Sequence, residues 1–136
     1  FSREPEQEGI LRQAKDNGVG FIAFSPLAQG LLTDKYSEVT IAETSRMARG
    51  KFLKKEQLTE AMLIKIRKLT DVASVRSQSL AEMALAWLLK VDSVSSVIIG
   101  ASSVGQLDKN LKAIENASFS GEELQLIDGI LNGDMY

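Results

Sequence analysis

The chain has 136 residues, 44% of them hydrophobic and 25% charged, with a net charge of −2. That is enough chain for one domain with a sizeable core, and it supplies no global field to draw in nucleic acid or an anionic membrane. There is no Cys and no His, which excludes a disulfide framework, a thiolate nucleophile, a sulfur metal site and the commonest general base.

Residues 5–18 read as one helix. Pro5 suits a first turn, Ile10 and Ala14 share a face, and Asn17-Gly18 is a stop signal. Residues 19–24 are short, apolar and partly β-branched or aromatic, the pattern of a buried strand. Residues 25–56 open with "SPLAQG" and hold the charge-rich "SRMARGKFLKK". They read as a long loop, and a long loop in a compact domain usually has a function.

Helical spacing returns over 57–75, with Leu58, Met62, Ile66, Leu69 and Val72 or Ala73 on one face. In "SLAEMALAWLLK", Ser79 and Glu82 have capping-box spacing. The helix behind that cap is apolar nearly all round, so burial on more than one side is expected. "SVSSVIIG" predicts a second strand, Val97 to Ile99, ended by Gly100. "SSVGQLDKNLKAI" then starts a helix with Val104, Leu107, Leu111 and Ile114 on one face. A terminal helix over 120–131 opens with a second Ser-x-x-Glu box, Ser120 and Glu123, and carries Leu124, Ile127 and Ile130 or Leu131 as its stripe.

Strand, helical crossover, strand implies parallel pairing. Two short strands make a poor sheet alone, so the pattern is that of a slice of a larger α/β fold, or of a chain that needs partner strands. The opening Phe1-Ser2-Arg3 likewise reads as the interior of something longer. No apolar run reaches bilayer-spanning length and no stretch resembles a signal peptide.

Sites in α/β folds gather at the carboxyl ends of strands. Here both ends are small and polar: Ser25-Pro26-Leu27-Ala28-Gln29-Gly30 after the first strand, Gly100-Ala101-Ser102-Ser103 after the second. Small side chains let a ligand approach the backbone, and a helix start suits phosphate. Gln106 and Asn110 are four apart and share a helix face. Lys35 and Arg46 lie in the long loop, placed to close over an anion. Each residue also has a purely structural reading. Gly100 serves as a turn glycine, Ser102 or Ser103 as a cap, and Gln106 as the polar partner of a capping box. Arg46 to Lys55 is then a solvated stretch, Trp87 and Met83 are core, and Tyr36 is a loop aromatic. The basic stretch lacks interleaved aromatics, so no nucleic-acid surface is read from it. Neither a Walker motif nor GxGxxG is present.

"AFSPLAQGLLTDKY" and "SSVIIGASSVGQLDKNLKAI", with "LAEMALAWLL" between them, resemble the aldo-keto reductase family, in particular bacterial members similar to potassium-channel beta subunits. The resemblance spans essentially the whole chain. It implies that residues 1–136 are the C-terminal slice, strands seven and eight with their helices, of one (β/α)8 TIM barrel. The remainder of the barrel is then the first partner, and a homo-oligomer and a cytoplasmic location are compatible with the family. The implied activity of the parent protein is NADP(H)-dependent reduction of aldehydes or ketones to alcohols.

By match, Phe24 packs on the nicotinamide, and Ser25, Pro26, Leu27, Ala28, Gln29 and Gly30 wrap the pyrophosphate with Lys35 and Arg46 nearby. Gly100, Ser102, Gln106 and Asn110 hold the adenosine and its 2′-phosphate. Lys109 departs from the family, standing where many relatives carry Glu. The family's catalytic Asp, Tyr, Lys and His belong to earlier strands. Tyr36 and Tyr136 do not match the catalytic Tyr, so no catalytic residue is expected in this chain, and no metal. Two other readings are an NADP(H)-sensing, channel-beta-subunit-like regulator and a non-catalytic interaction module.

Overall fold

The computed structural model describes residues 3–33 and 59–133. In chain order the elements are α1 (Glu4–Gln7), α2 (Ile10–Asp16), β1 (Phe21–Phe24), α3 (Glu60–Val75), α4 (Leu80–Leu89), β2 (Val94–Ile98), α5 (Val104–Leu111) and α6 (Gly121–Asn132). Short 3-10 turns lie at Ala28–Gly30 and Lys112–Ile114. No helix among the described residues is long and apolar enough to cross a membrane.

The single helix expected over 5–18 is two. Gly9 takes a left-handed φ of 77° between α1 and α2, a conformation that breaks the helical run and suits glycine. Pro5 does lie in the first turn of α1. The stop at Asn17-Gly18 is also present: Asn17 Nδ2 donates to the Gln13 carbonyl at 2.8 Å.

The strands pair in parallel, but their bounds shift. β1 begins at Phe21 rather than at residue 19, and β2 runs Val94–Ile98 rather than Val97–Ile99. The register pairs Phe21 with Val94, then skips Ser95 to pair Ile22 with Ser96, Ala23 with Val97 and Phe24 with Ile98. The irregularity brings Ser95 against Gly20, where an added Cβ would lie 2.1 Å from the Ser95 hydroxyl. A side chain at residue 20 would require the Ser95 hydroxyl to rotate away and its Cβ to give slightly.

The two faces of this sheet differ. Ala23 is buried and Val97 packs on the cluster of Leu85, Ala86 and Ala113. On the opposite face Ile22, Phe24 and Ile98 are exposed, at 57%, 80% and 61%. Alternating side chains make this one contiguous apolar face.

The main core joins α3, α4 and α6 through Ile66, Leu69, Val72, Ala73, Leu80, Met83, Ile127 and Ile130. α4 contributes Leu80 and Met83 to this cluster and Leu85 and Ala86 to the second, so it is buried on more than one side as its composition predicts. Both capping boxes form: Ser79 with Glu82, and Ser120 with Glu123. The apolar stripe of α5 is present but bare, with Val104, Leu107, Leu111 and Ile114 all exposed. What α5 buries instead is Asn110, followed by Ala113 in the adjoining turn.

Arg76 locks the end of α3 to the start of α6. Its side chain is 3% exposed and pairs with Glu123 at 2.7 Å. It donates to the Asn116 and Ser118 carbonyls and to Gln78, and it stacks 3.8 Å from the Phe119 ring centre. At the other end of the bundle Arg3 ties α1 to α6 through Asp128 and to its own helix through Glu6, each at 2.6 Å. Those bonds, the one to Glu6 foremost, raise the Arg3 pKa.

Candidate functional site at the carboxyl ends of the two strands

β1 leads into a loop whose backbone is held in an uncommon shape. Ser25, Ala28 and Gln29 have left-handed φ values of 51°, 47° and 58°, and Gly30 follows at 100°. An L-residue in this region costs about 1–2 kcal/mol, so three within five residues need outside support. Apolar anchors supply it. Leu31 is buried in the main core with Ala28 and Leu32 packed beside it, while Leu27 packs on the second cluster. Turn bonds complete the set: Ala28 N–H to Ser25, Gly30 N–H to Leu27 and Leu31 N–H to Ala28. The Thr33 hydroxyl donates back to the Gly30 carbonyl at 2.6 Å. Strain held in place by its surroundings is common at binding sites.

β2 leads into the start of α5. The Ser103 hydroxyl caps the Gln106 N–H at 3.2 Å. The expected capping box stops there, because the Gln106 side-chain oxygen accepts instead from the Ser102 N–H at 2.8 Å and the Ser102 hydroxyl at 2.9 Å. Gln106 is therefore fixed by the residue before the cap. Its amide NH2 has no partner among the described residues. The Val104 and Gly105 N–H groups have no intrahelical acceptor, as at any helix start, and the helix dipole adds positive character there.

These two walls enclose a cavity of about 360 Å³, lined by Phe24, Ser25, Pro26, Leu27, Gln29 and Gly30 from the first strand end and Ile98, Ile99, Gly100 and Gln106 from the second, with Thr33. Eight of the residues singled out from the sequence thus meet around one space. Three others are placed differently. Ala28 lines a neighbouring apolar groove of about 450 Å³ that runs past Phe21, Met83 and Trp87. Ser102 supports the wall by holding Gln106. Asn110 is 4% exposed and its Nδ2 is buried without a hydrogen-bond partner among the described residues. Lys35 and Arg46 lie outside the described residues, as do Tyr36 and Tyr136. Thr33, Ile98 and Ile99 were not singled out as site residues. The strand-end rule that selected Phe24 and Gly100 selects Ile98 and Ile99 too, and Thr33 is signalled only by its spacing of three from Gly30.

The donor set is uncharged amide and backbone N–H, with the flat face of an exposed Phe24 at the end of β1. Such a set suits an extended, anionic ligand with an aromatic part. Among the described residues, no group of three His, Cys, Asp or Glu side chains could hold a metal ion.

A model of the "Aldo/keto reductase family" matches residues 1–132. The chain is 49% identical over 132 residues to an L-glyceraldehyde 3-phosphate reductase of Escherichia coli strain K12, covering 94% of this chain and 38% of that protein. It is 37% identical over 117 residues to a probable voltage-gated potassium channel subunit beta of Oryza sativa subsp. japonica, covering 85% and 36%. Among solved structures, an aldo-keto reductase, AKR11C1 from Bacillus halodurans in its holo form, matches with a TM-score of 0.66 at 26% identity, over 95% of this chain and 38% of that one. The chain therefore spans well under half the length of these relatives. It belongs to the aldo/keto reductase family.

Proposed function

We propose that this chain is the C-terminal, cofactor-binding part of a barrel enzyme that reduces aldehydes or ketones with NADP(H). One observation carries the reading: a strained loop and a helix start meet at the carboxyl ends of two parallel strands around one cavity. That is where α/β barrels bind ligands. The slice is supported by what stays bare. The exposed face of Ile22, Phe24 and Ile98 and the stripe Val104, Leu107, Leu111 and Ile114 are the surfaces on which further strands and helices would lie. Residues 1–136 then form one part of a single barrel domain, and the rest of the barrel is its partner.

The residues present fit the cofactor. Buried Asn110 has an amide with no partner among the described residues, and Gln106 presents a second beside the cavity. When bound, the dinucleotide supplies hydride to the carbonyl carbon. This chain's part is to hold it. The backbone of Ser25–Gly30, anchored by Leu27 and Leu31, binds the pyrophosphate. The Val104 and Gly105 N–H groups, Gly100, Gln106 and Asn110 take the adenosine end, with Ser102 orienting Gln106. Phe24 covers one face of the nicotinamide and shields it from water. By the resemblance to the family, the proton-donating set belongs to other strands of the barrel. The 49% relative named for L-glyceraldehyde 3-phosphate favours a small aldehyde as substrate. The relatives named as potassium channel beta subunits favour a second reading, an NADP(H)-sensing regulator.

The test is the intact mass of the native polypeptide together with fluorescence titration by NADPH and a panel of aldehydes. A mass well above 14.9 kDa, submillimolar NADPH binding and aldehyde-dependent oxidation are expected. Tight NADPH binding with turnover slower than one per minute across the panel would shift the reading to the regulator. A mass equal to this chain with no NADPH binding would overturn both.

A further inference from the structure

We propose that Thr33 is a positioning residue of this site: its hydroxyl pins the peptide between Gly30 and Leu31 and so keeps the loop after β1 in its binding shape before any ligand arrives. The inference rests on the cofactor reading above, which gives Thr33 no part. Gly30 is where the loop can most easily change shape. It takes a left-handed φ of 100°, and a residue without Cβ moves between backbone conformations more readily than any other. Gly30 also lines the cavity, so a turn of its peptide would reshape the wall. That peptide is held at two edges. Its N–H and C=O point in opposite directions, as in any trans peptide. The Leu31 N–H donates to the Ala28 carbonyl at 3.2 Å, and the Gly30 carbonyl accepts from the Thr33 hydroxyl at 2.6 Å. Rotating the plane breaks both bonds, and the one from Thr33 is the shorter.

Thr33 is suited to this task. Leu31 is buried in the main core and Leu32 packs beside it, so the chain that leads to Thr33 is tied to the helical bundle. A β-branched side chain has few χ1 positions and loses little freedom when its hydroxyl is fixed. The chemistry of the bond separates holding the loop from touching the ligand. A carbonyl oxygen can only accept, so the hydroxyl donates its single proton to Gly30. That proton is then committed and is not offered to a phosphate oxygen, although Thr33 lines the cavity. Thr33 therefore acts through Gly30. Its effect falls equally on NADPH and NADH, which share the pyrophosphate, and spares a ligand that occupies the adenosine end alone.

The experiment compares the native polypeptide with Thr33→Val, which keeps the shape and loses the hydroxyl, and with Thr33→Ser, which keeps the hydroxyl; Thr33→Ala carries the same test should Thr33→Val not fold. Kd is measured for NADPH, NADH and adenosine 2′,5′-bisphosphate, and amide hydrogen exchange is measured without ligand. Loss of one hydrogen bond that holds the binding shape predicts NADPH and NADH each weakened about three- to tenfold in Thr33→Val. The bisphosphate stays within about twofold of the wild type, and Thr33→Ser recovers most of the loss. Without ligand, the Gly30 and Leu31 amides of Thr33→Val exchange faster by about the same factor, while those of α3 and α4 do not change. An unchanged NADPH Kd in Thr33→Val overturns the role of Thr33 and leaves the cofactor reading intact. Weaker NADPH with unchanged loop exchange assigns Thr33 to direct ligand contact and overturns the positioning role. Faster exchange throughout α3 and α4 with a lowered melting temperature makes the effect a general loss of stability and also overturns it. Failure of the wild type to bind either dinucleotide overturns the cofactor reading, and this inference with it.

Discussion

In the α3–α4–α6 bundle, Ile66 is fully buried, Leu80 is 1% exposed, and the buried Arg76 guanidinium has acceptors for its donors. In the loop after β1, three non-glycine residues are left-handed and Phe24 is 80% exposed. The bundle is closely packed and carries one left-handed non-glycine residue, Ser77, in the turn between α3 and α4. The loop accepts strain and exposure at the rim of a cavity. The difference teaches where stability and binding are separated in this chain: substitutions in the bundle should move the melting temperature, and substitutions in the loop should move cofactor affinity.

Leu80→Ala is the strongest way to break that separation. Leu80 belongs to the main core and is not in the cavity wall, so the substitution should cost about 2–5 kcal/mol and leave the NADPH Kd of the folded protein unchanged. Urea unfolding with NADPH titration on the native polypeptide checks both halves; an affinity loss larger than about threefold would mean that bundle and cavity are coupled. Arg76→Ala comes next. It removes an ion pair, three other side-chain hydrogen bonds and the stack on Phe119. Because Glu123 remains 30% exposed, its lost partner is partly replaced by water, and a cost of about 2–4 kcal/mol is expected.

Gln29→Gly sharpens the comparison from the other side. Glycine relieves a left-handed φ of 58° worth about 1 kcal/mol or more, against an entropy loss of about 0.5–1 kcal/mol. Stability should rise by less than about 1 kcal/mol while NADPH binds more weakly, because the freed loop samples other shapes. A variant that is both less stable and tighter-binding would contradict the strain argument.

The parts legible from sequence were those written in local chemistry. Ser79–Glu82 and Ser120–Glu123 have the spacing and side chains of capping boxes, and both form. The two strand ends follow from runs of small residues after short apolar stretches, and the structure brings Gly30, Gly100 and Gln106 to one cavity. What could not be read depends on distant partners. The skip at Ser95 that shifts β2 is a property of the pairing with β1, not of either segment. The left-handed Ala28 and Gln29 carry no glycine to announce them; Leu27 and Leu31, packed on two separate clusters, force them. The period of Val104, Leu107, Leu111 and Ile114 was plain, but periodicity names a face and not what covers it.

The smallest expected effect is a pH dependence at the junction of loop 115–120 and α6. The Glu123 carboxylate accepts from the Ser120 backbone N–H at 2.7 Å and then from Arg76, and these bonds hold its pKa below the ordinary carboxylate value. A folded pKa below the unfolded one adds stability above the unfolded value, about 4.3, and that stability is lost as pH falls through the lowered folded value. Because the Glu123 side chain is still 30% exposed, solvent screens these contacts and the effect is small. Glu123→Gln keeps the capping geometry while removing the charge. It should melt slightly below the wild type at pH 6, and the gap should close as the pH is lowered toward 3. A gap that persists unchanged at pH 3 would assign Glu123 a packing role, with the Arg76 lock then resting on its carbonyl bonds and on Phe119 alone.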